Sequence, residues 1–507
     1  MKLAGIFGDK MILQRDKVNH IFGTDTAAEV TVEIEGNSYK GAVKDGKFVV
    51  EIPAIGVKRD IDITVKGSET IVLHDVCFGD VYMLAGQSNM ELPVSRTYDR
   101  SEAEIKAANY PYIRQYRLVP DSDFKPLDEY ELPDLPWTSA VQGEVDEMSA
   151  YGFFTFKKVY EEIDVPIGLI LNAQGGASIE SFMREEDLKD CCDELDLIEK
   201  YYGKGVLTAY LDESNKRCAK WRDDTAAVDF VTYASAIPAG AVDVTLPAMF
   251  KDITGSSWFY KEVTIDEDIK GDDAFLYNGL LIDADITYIN GQEVGRTEYQ
   301  YPPRKYPLSA SVLKKGTNLI AVRLINESTV GGFVSDHPYY LEVNGKKIEL
   351  MDGQPWKHIK EKSCEPFVPG RMMVSFPVIL YNAAITTLSN VSIKGFFWYQ
   401  GESNGDKWDK YDMKFKRMVD SWREIFGKDI PIVATIMPDY INVQSEDTST
   451  VPFGWREIQR QQEEAPKTVE NCYVVEGRDL GEQFELHPQK KAELGARAAK
   501  IFIESIY

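Results

Sequence analysis

The sequence predicts an α/β fold built on a five-stranded parallel sheet, with one small β domain in front of it and a second inserted into it. Compact apolar runs recur near residues 81, 166, 395, 430 and 472, and helix-like stretches separate them. Short β-type runs separated by Gly, Asn and Asp fill 1–78 and 226–350. The 507 residues exceed one ordinary domain. We therefore predict an N-terminal β domain (1–78), an α/β domain in two parts (79–225 and 351–507) and an inserted β jelly-roll (226–350).

The elements follow in order along the chain. In the N-terminal region the β-type runs are Glu29–Ile34, Phe48–Ile52 and Ile61–Val65, and turns such as Asp45-Gly46 separate them. In the insertion the clearest runs are Trp258–Ile265, Ile286–Ile289 and Leu319–Val322. Helices are predicted at Ser101–Ala108, Ser149–Ile163, Ile179 to about Arg222, Phe376–Thr387, Trp408–Phe426, Phe453–Glu464 and Gln489–Ser505.

The composition restricts the partners and the compartment. The formal net charge is −25, so the surface would repel phosphate backbones and anionic lipid, and neither a nucleic acid nor a membrane is an expected partner. The six cysteines are scattered without a CxxC pair, which favours neither a disulfide framework nor a zinc ribbon. Residues 1–15 lack the long apolar centre of a signal peptide. We therefore expect a reducing, cytoplasmic location, no metal and no cofactor.

Ser88 is the first candidate for chemistry. The apolar run Val81–Leu84 ends at the small and polar residues Ala85-Gly86-Gln87-Ser88-Asn89, so Ser88 lies just past the carboxyl end of a predicted strand. In open α/β sheets this edge holds the ligand crevice. A serine there is a candidate nucleophile, although many serines at such turns only cap the next helix.

His487 is the candidate base. It is one of five histidines, and it alone follows a predicted sheet strand and precedes a helix. A serine nucleophile needs a base, and the base needs an acidic group that fixes its tautomer. Another predicted strand ends in Trp398-Tyr399-Gln400-Gly401-Glu402-Ser403-Asn404, a cluster of hydrogen-bonding side chains around a glycine. These strand ends would meet at one edge of the sheet.

The ordered motifs resemble the sialate O-acetylesterase family of SGNH-type carbohydrate esterases. The resemblance rests on Gly86–Met90, Pro166–Ile170 with Gly175-Gly176, Trp398–Asn404 and His487-Pro488, and also on Met11–Arg15 and Tyr288–Gly291. It implies a flavodoxin-like SGNH hydrolase that removes acetyl groups from sugar hydroxyls without a metal, with an acetylated carbohydrate as its substrate. A jelly-roll inserted into the hydrolase is also implied.

Carried onto this chain, the resemblance implies roles for individual residues. Ser88 would be the nucleophile and His487 the base. The backbone amides of Ser88 and Gly176 would form the oxyanion hole together with one side chain, either Gln400, which we favour, or Asn404. Gln87, Glu402 and Asn404 are expected to support the site or contact substrate.

The third catalytic residue departs from the family pattern. The family usually has an aspartate two or three residues before the histidine, whereas this chain has Phe484 and Glu485 there. Glu485 is the predicted acid, and Asp479 is the alternative. A Ser-His dyad oriented by a backbone carbonyl is the third possibility.

Two other functions compete with the esterase. Glu402 and Glu485 would act as the carboxyl pair of a glycosidase if they flanked a sugar, but Ser88 and His487 would then have no role. A non-catalytic carbohydrate-binding protein is the other possibility, because two β modules flank the α/β parts. An intact serine and histidine argue against it. Fold alone does not name the sugar, which is left between sialate and plant-glycan fragments, and the oligomeric state is open.

Overall fold

The computed structural model describes all residues except 120–123, 125–126, 128–131, 133, 204, 227–229, 272–273, 368 and 446. It is a mixed α/β structure with several sheets. Its strands and helices fall into an N-terminal β region, a central sheet with flanking helices, and an inserted β region. Among the described residues no helix is both long enough and apolar enough to cross a bilayer.

In the part of the chain that the structure describes, the central sheet has six parallel strands, so the predicted number of five is wrong. In spatial order they are Asn109–Arg117, Ile167–Ala173, Thr70–Gly86, Gly395–Tyr399, Ile432–Thr435 and Cys472–Val475, with Thr138–Val141 antiparallel at the first edge. The five predicted strands are all present. The additional strand, Asn109–Arg117, carries a buried arginine, Arg114, which pairs with Asp75 at 2.8 Å and donates to backbone carbonyls. Its polar sequence gave no apolar run.

Helices cover both faces of this sheet. Adjacent residues of a strand point to opposite faces. Phe397 contacts Phe156 and Phe502 on one side, while Phe396 contacts Trp422 on the other. The α-helices are Ser88–Glu91, Tyr98–Lys106, Ala150–Ile163, Glu185–Leu188, Asp196–Tyr201, Val206–Asp224, Phe230–Ser235, Tyr411–Phe426, Phe453–Glu464 and Lys491–Ile501. The sheet is therefore buried on both faces, and its strand ends are left for function.

Two predicted helices differ in the structure. The stretch from Ile179 to about Arg222 contains separate helices at Ile179–Phe182, Glu185–Leu188, Asp196–Tyr201 and Val206–Asp224. Residues Phe376–Thr387 were expected to form one helix, but the helical stretch begins after Val378 and is irregular: a π-type turn at Tyr381–Ile385 continues directly into a 3-10 turn at Thr386–Leu388, and only Met373–Ser375 is a separate turn. Pro377 and the positive φ of Val378, 62°, interrupt regular helix geometry here.

The N-terminal β region is continuous with the central sheet. The strand Thr70–Gly86 is 17 residues long; its first half pairs with Lys58–Lys66 and its second half with the parallel strands. The predicted boundary at residue 78 therefore lies inside one strand. The other strands of this region are Lys2–Leu3, Ile12–Gln14, Asn19–Thr24, Glu29–Ile34, Asn37–Ala42 and Lys47–Ile52.

The inserted β region contains sheets of six, three and four strands, and an apolar core lies among them. Its strands are Val242–Val244, Met249–Lys251, Gly255–Ile265, Ala274–Asn278, Leu281–Ile282, Ala284–Ile289, Gln292–Thr297, Lys305–Leu308, Gly316–Asn326, Val330–Phe333, Tyr339–Val343, Lys346–Glu349 and Trp356–Ser363. The last of them pairs with Gly255–Ile265. The β structure of the insertion therefore continues past the predicted boundary at residue 350.

Candidate active site

Ser88 lies at the carboxyl edge of the central sheet, immediately after the strand Thr70–Gly86, and begins a short helix. Gly86 has a φ of 141°, and a Cβ atom there would lie 2.0 Å from the carbonyl oxygen of Tyr399. The backbone N–H of Gln87 donates to that same carbonyl at 3.0 Å. Only glycine permits this close approach, so the turn presents Ser88 beyond the sheet edge.

His487 contacts Ser88 directly. Its Nε2 lies 2.7 Å from the Ser88 Oγ although the two residues are 399 positions apart. Burial, and then the nearby positive charges of Lys491 and Arg96, lower the pKa of His487 to about 3. The imidazole is therefore neutral near pH 7 and is able to accept the serine proton. The predicted nucleophile, Ser88, and the predicted base, His487, therefore lie within hydrogen-bond distance of each other.

Glu485 lies beside this histidine and accepts a hydrogen bond from its backbone. Its Oε1 accepts the backbone N–H of His487 at 2.7 Å and lies 3.9 Å from His487 Nδ1. The second distance is too long for a hydrogen bond, and the buried Nδ1 has no partner within the described part of the chain. Catalytic hydrogen bonds are often long without substrate and tighten when it binds.

The alternative acid is directed elsewhere. Asp479 pairs with the two terminal guanidinium nitrogens of Arg497 at 2.6 and 2.7 Å on the surface. The third possibility also lacks support, because no backbone carbonyl of a described residue accepts from His487 Nδ1. Of the three possibilities, the arrangement favours Glu485.

Two backbone amides are available for an oxyanion. Ser88 is the first residue of a helix, where N–H groups have no partner within the helix. Gly176, with a φ of 80°, lines the same cleft, and its N–H has no acceptor among the residues that the structure describes. The neighbouring Gly175 is engaged, since its N–H donates to Glu91 at 2.6 Å.

Gln400 and Asn404 do not reach the cleft. The Gln400 Nε2 contacts Gln87 Oε1, the Ala177 carbonyl and Asn404 Oδ1 at 3.2, 3.1 and 2.7 Å, and the residue is fully buried. The Asn404 amide nitrogen donates to Glu180 at 2.9 and 3.2 Å. In this arrangement neither amide has a free donor for an oxyanion, so their position favours a role in bracing the site.

Gln87 and Asn89 connect the three sequence motifs. Gln87 Oε1 accepts from the Ser403 N–H at 3.1 Å. The amide of Asn89 donates to Glu402 at 2.7 Å and to the Leu486 carbonyl at 2.9 Å, next to His487. Burial raises the pKa of Glu402, against the hydrogen bond from Asn89. These side chains fix the loops that carry the serine and the histidine.

The cleft in front of Ser88 has a volume of about 950 Å³. Its wall includes Gln87, Ser88, Glu91, Arg96, Arg117, Gly175, Gly176, Glu402, Ser403, Tyr440, Trp455 and His487 from the α/β parts, together with Tyr299 and Tyr301 from the insertion. The cleft is much larger than an acetyl group, so it has room for the sugar that would carry one. Aromatic side chains mixed with polar ones also suit a carbohydrate.

Several site residues had no signal in the sequence. Tyr301 packs edge-on against the His487 ring, with centroids 5.0 Å apart. His337 Nε2 lies 3.5 Å from Glu485 Oε2. Both residues come from the insertion. His337 reaches the site through packing on the loop that carries Glu485, and the Tyr301 carbonyl accepts a hydrogen bond from Arg96 at 3.3 Å. The dipeptide Asp336-His337 is visible in the sequence, but nothing in its spacing relates it to residue 485.

The cleft as described contains no group of three clustered metal-ligating side chains. One such group occurs in the described residues, formed by Asp60, Asp75 and Cys77 in the N-terminal β region. Asp75 is already paired with Arg114 at 2.8 Å.

Comparisons with known proteins agree with the motifs. Residues 373–504 match the family described as carbohydrate esterase, sialic acid-specific acetylesterase. The sialate O-acetylesterases of Mus musculus and Homo sapiens are 32% and 31% identical over 127 residues, which is 24% of this chain and 24% of each relative. The matched segment thus spans about a quarter of those relatives. A carbohydrate acetylesterase from Xanthomonas citri has the same fold, with a TM-score of 0.59 and 17% identity over 100% of this chain and 75% of its own.

Proposed function

We propose that this protein, whose residues 373–504 match the family described as carbohydrate esterase, sialic acid-specific acetylesterase, is a serine esterase that removes O-acetyl groups from sugars. The observation that carries the proposal is the 2.7 Å contact between His487 Nε2 and Ser88 Oγ at the carboxyl edge of the sheet. The matched relatives are named sialate O-acetylesterases, which supports hydrolysis of an acetyl ester. The large cleft suits an acetylated sialate or plant-glycan fragment.

The residues support a two-step mechanism. The Ser88 Oγ attacks the acetyl carbon while its proton passes to His487 Nε2, and the amides of Ser88 and Gly176 stabilise the oxyanion. His487 then protonates the sugar oxygen as the C–O bond breaks, leaving an acetyl group on Ser88. Water attacks this ester while its proton passes to His487; the bond between the acetyl carbon and Ser88 Oγ then breaks, His487 returns the proton to Ser88, and acetate leaves.

The same proposal covers the finer points of fold and location. We assign the α/β parts to an SGNH-type hydrolase and the inserted sheets to a jelly-roll, supported by the strand-end motifs and by the apolar core of the insertion. A cytoplasmic location remains part of the proposal; the six cysteines are free thiols.

The arrangement gives less support to the other two functions. Glu402 lines the cleft, whereas Glu485 is 3% exposed and is held by the His487 N–H and His337, behind the histidine. These carboxyls do not face each other across the cleft as a glycosidase pair would. A purely binding role would leave the Ser88–His487 contact without a purpose.

The decisive experiment measures acetate release from a panel of substrates: 4-nitrophenyl acetate, O-acetylated sialic acid and acetylated xylo-oligosaccharides, with linkages followed by NMR. Ser88→Ala should lower turnover by roughly 10³-fold or more. Ser449→Ala is the matched control, because it removes an exposed hydroxyl that contacts Asp447 away from Ser88, and it should have little effect. A Ser88→Ala variant that keeps more than about a tenth of wild-type turnover would refute the serine mechanism.

A further inference from the structure

We infer that the inserted β region supplies a positioning residue to the active site: His337 anchors the carboxylate of Glu485 beside His487. This inference rests on the proposed esterase function and extends it, because the insertion then completes the catalytic site instead of only adding a sugar-binding surface.

A continuous series of contacts leads from the insertion to the nucleophile. Asp336 Oδ1 lies 2.8 Å from His337 Nδ1, and His337 Nε2 lies 3.5 Å from Glu485 Oε2. The other Glu485 oxygen accepts the His487 N–H at 2.7 Å, and His487 Nε2 reaches the Ser88 Oγ at 2.7 Å. Each residue of the series thus orients the next.

The same dipeptide holds the catalytic loop a second time. The second carboxylate oxygen of Asp336 accepts the backbone N–H of Phe484 at 3.0 Å. Phe484 also packs with Leu280, Ile282 and Val334 of the insertion. The segment 484–487 is therefore fixed against the insertion both by polar contacts and by an apolar cluster.

His337 is a cation in this position. Its two ring nitrogens face two carboxylates, Asp336 on its own loop and Glu485 on the facing loop. Burial acts to lower the pKa of His337, but the hydrogen bonds and charges of Asp336 and Glu485 outweigh it and raise the pKa to about 9. The side chains of His337 and Glu485 are only 10% and 2% exposed, so solvent screens this pair weakly.

Glu485 has to be held in place because of the way in which His487 is surrounded. When His487 takes the serine proton it becomes an imidazolium, which burial and the positive charges of Lys491 and Arg96 disfavour. Glu485 is the carboxylate placed to compensate, with one oxygen 3.9 Å from His487 Nδ1. His337 lies 3.5 Å from the other oxygen and anchors it, so the carboxylate keeps its position beside His487.

The first test is spectroscopic and independent of activity. In full-length protein labelled with ¹⁵N-histidine, His337 should show both ring nitrogens protonated near pH 7.5 and should lose one proton near pH 9, whereas His487 should be neutral. The His337→Gln variant identifies its signals. Glu485→Gln should lower the pKa of His337. A neutral His337 ring near pH 7.5 would overturn the inference.

The second test is a double-mutant cycle on 4-nitrophenyl acetate hydrolysis. His337→Gln keeps a donor but loses the charge, and it should lower kcat by roughly 10- to 100-fold with KM changed less than about twofold. Because His337 acts through Glu485, the double variant His337→Gln/Glu485→Gln should be no slower than Glu485→Gln alone. The control is His358→Gln, which changes another histidine of the insertion, one packed between Phe250 and Phe259.

The outcomes separate this inference from the proposed function. Independent, multiplicative losses in the cycle, or wild-type kcat in His337→Gln while Ser88→Ala is inactive, would overturn the positioning role and leave the esterase intact. A fully active Ser88→Ala would instead overturn the proposed function. If His337→Gln does not fold, the wild-type titration decides the matter.

Discussion

Replacing Glu485 with Gln tests the acid of the site most directly. The substitution keeps the size of the side chain and an oxygen that accepts the His487 N–H, but it removes the charge. The Glu485 Oε1 lies 3.9 Å from His487 Nδ1. At that distance a carboxylate stabilises an imidazolium by about 4 kcal/mol with an effective dielectric constant of about 20. If the carboxylate stabilises only the state in which His487 has taken the serine proton, loss of its charge should lower turnover by roughly 10³-fold.

The assay is the initial rate of 4-nitrophenyl acetate hydrolysis at saturating substrate, with thermal melting to verify the fold. Asp479→Asn is the matched control, because its exposed ion pair with Arg497 contributes little, and turnover should stay within about twofold of wild type. A large loss in Asp479→Asn with an active Glu485→Gln would refute the reasoning and make Asp479 the acid. No loss in either would indicate a Ser-His dyad.

Other predictions follow from the same contacts. Gln400→Leu should lower the free energy of unfolding by about 1–3 kcal/mol in urea titrations, because Gln87 loses a hydrogen-bond donor. A large fall in kcat at unchanged stability would instead indicate that Gln400 donates to the oxyanion. Since the low pKa keeps His487 neutral in acid, kcat/KM should stay within about twofold from about pH 7.5 to 5. A fall in kcat/KM centred on the ordinary pKa of histidine would contradict this. In calorimetry, a fragment 226–363 should melt cooperatively and 226–350 should not, because the shorter one lacks a core strand; equal melting would contradict this.

The sequence predicted the parts of the fold that depend on local pattern. The five apolar runs are strands of the central sheet, and Phe453–Glu464 is a helix with the predicted bounds. The strand Asn109–Arg117 could not be found in this way, because its buried arginine is neutralised by Asp75, which lies 39 residues earlier. In the sequence, a buried arginine whose partner lies so far along the chain looks the same as an arginine on the surface.

The site was predictable where one residue at a strand end determines the chemistry. Ser88 and His487 lie together because parallel strands end at one edge of the sheet. The direction in which Gln400 points was not predictable, since it depends on three acceptors from separate segments. His337 was hidden for a similar reason, because its role depends on how the insertion packs against residue 485.

The separation of Ser88 and His487 has a consequence during synthesis of the chain. The serine is translated 399 residues before the histidine that would activate it. At roughly 5–20 residues per second, the two are separated by on the order of 20–80 s. Throughout that interval a nascent chain carries the serine without the histidine that lies beside it in the folded protein. The order of the motifs thus prevents the Ser88–His487 contact from forming until the sheet that carries both residues has been completed.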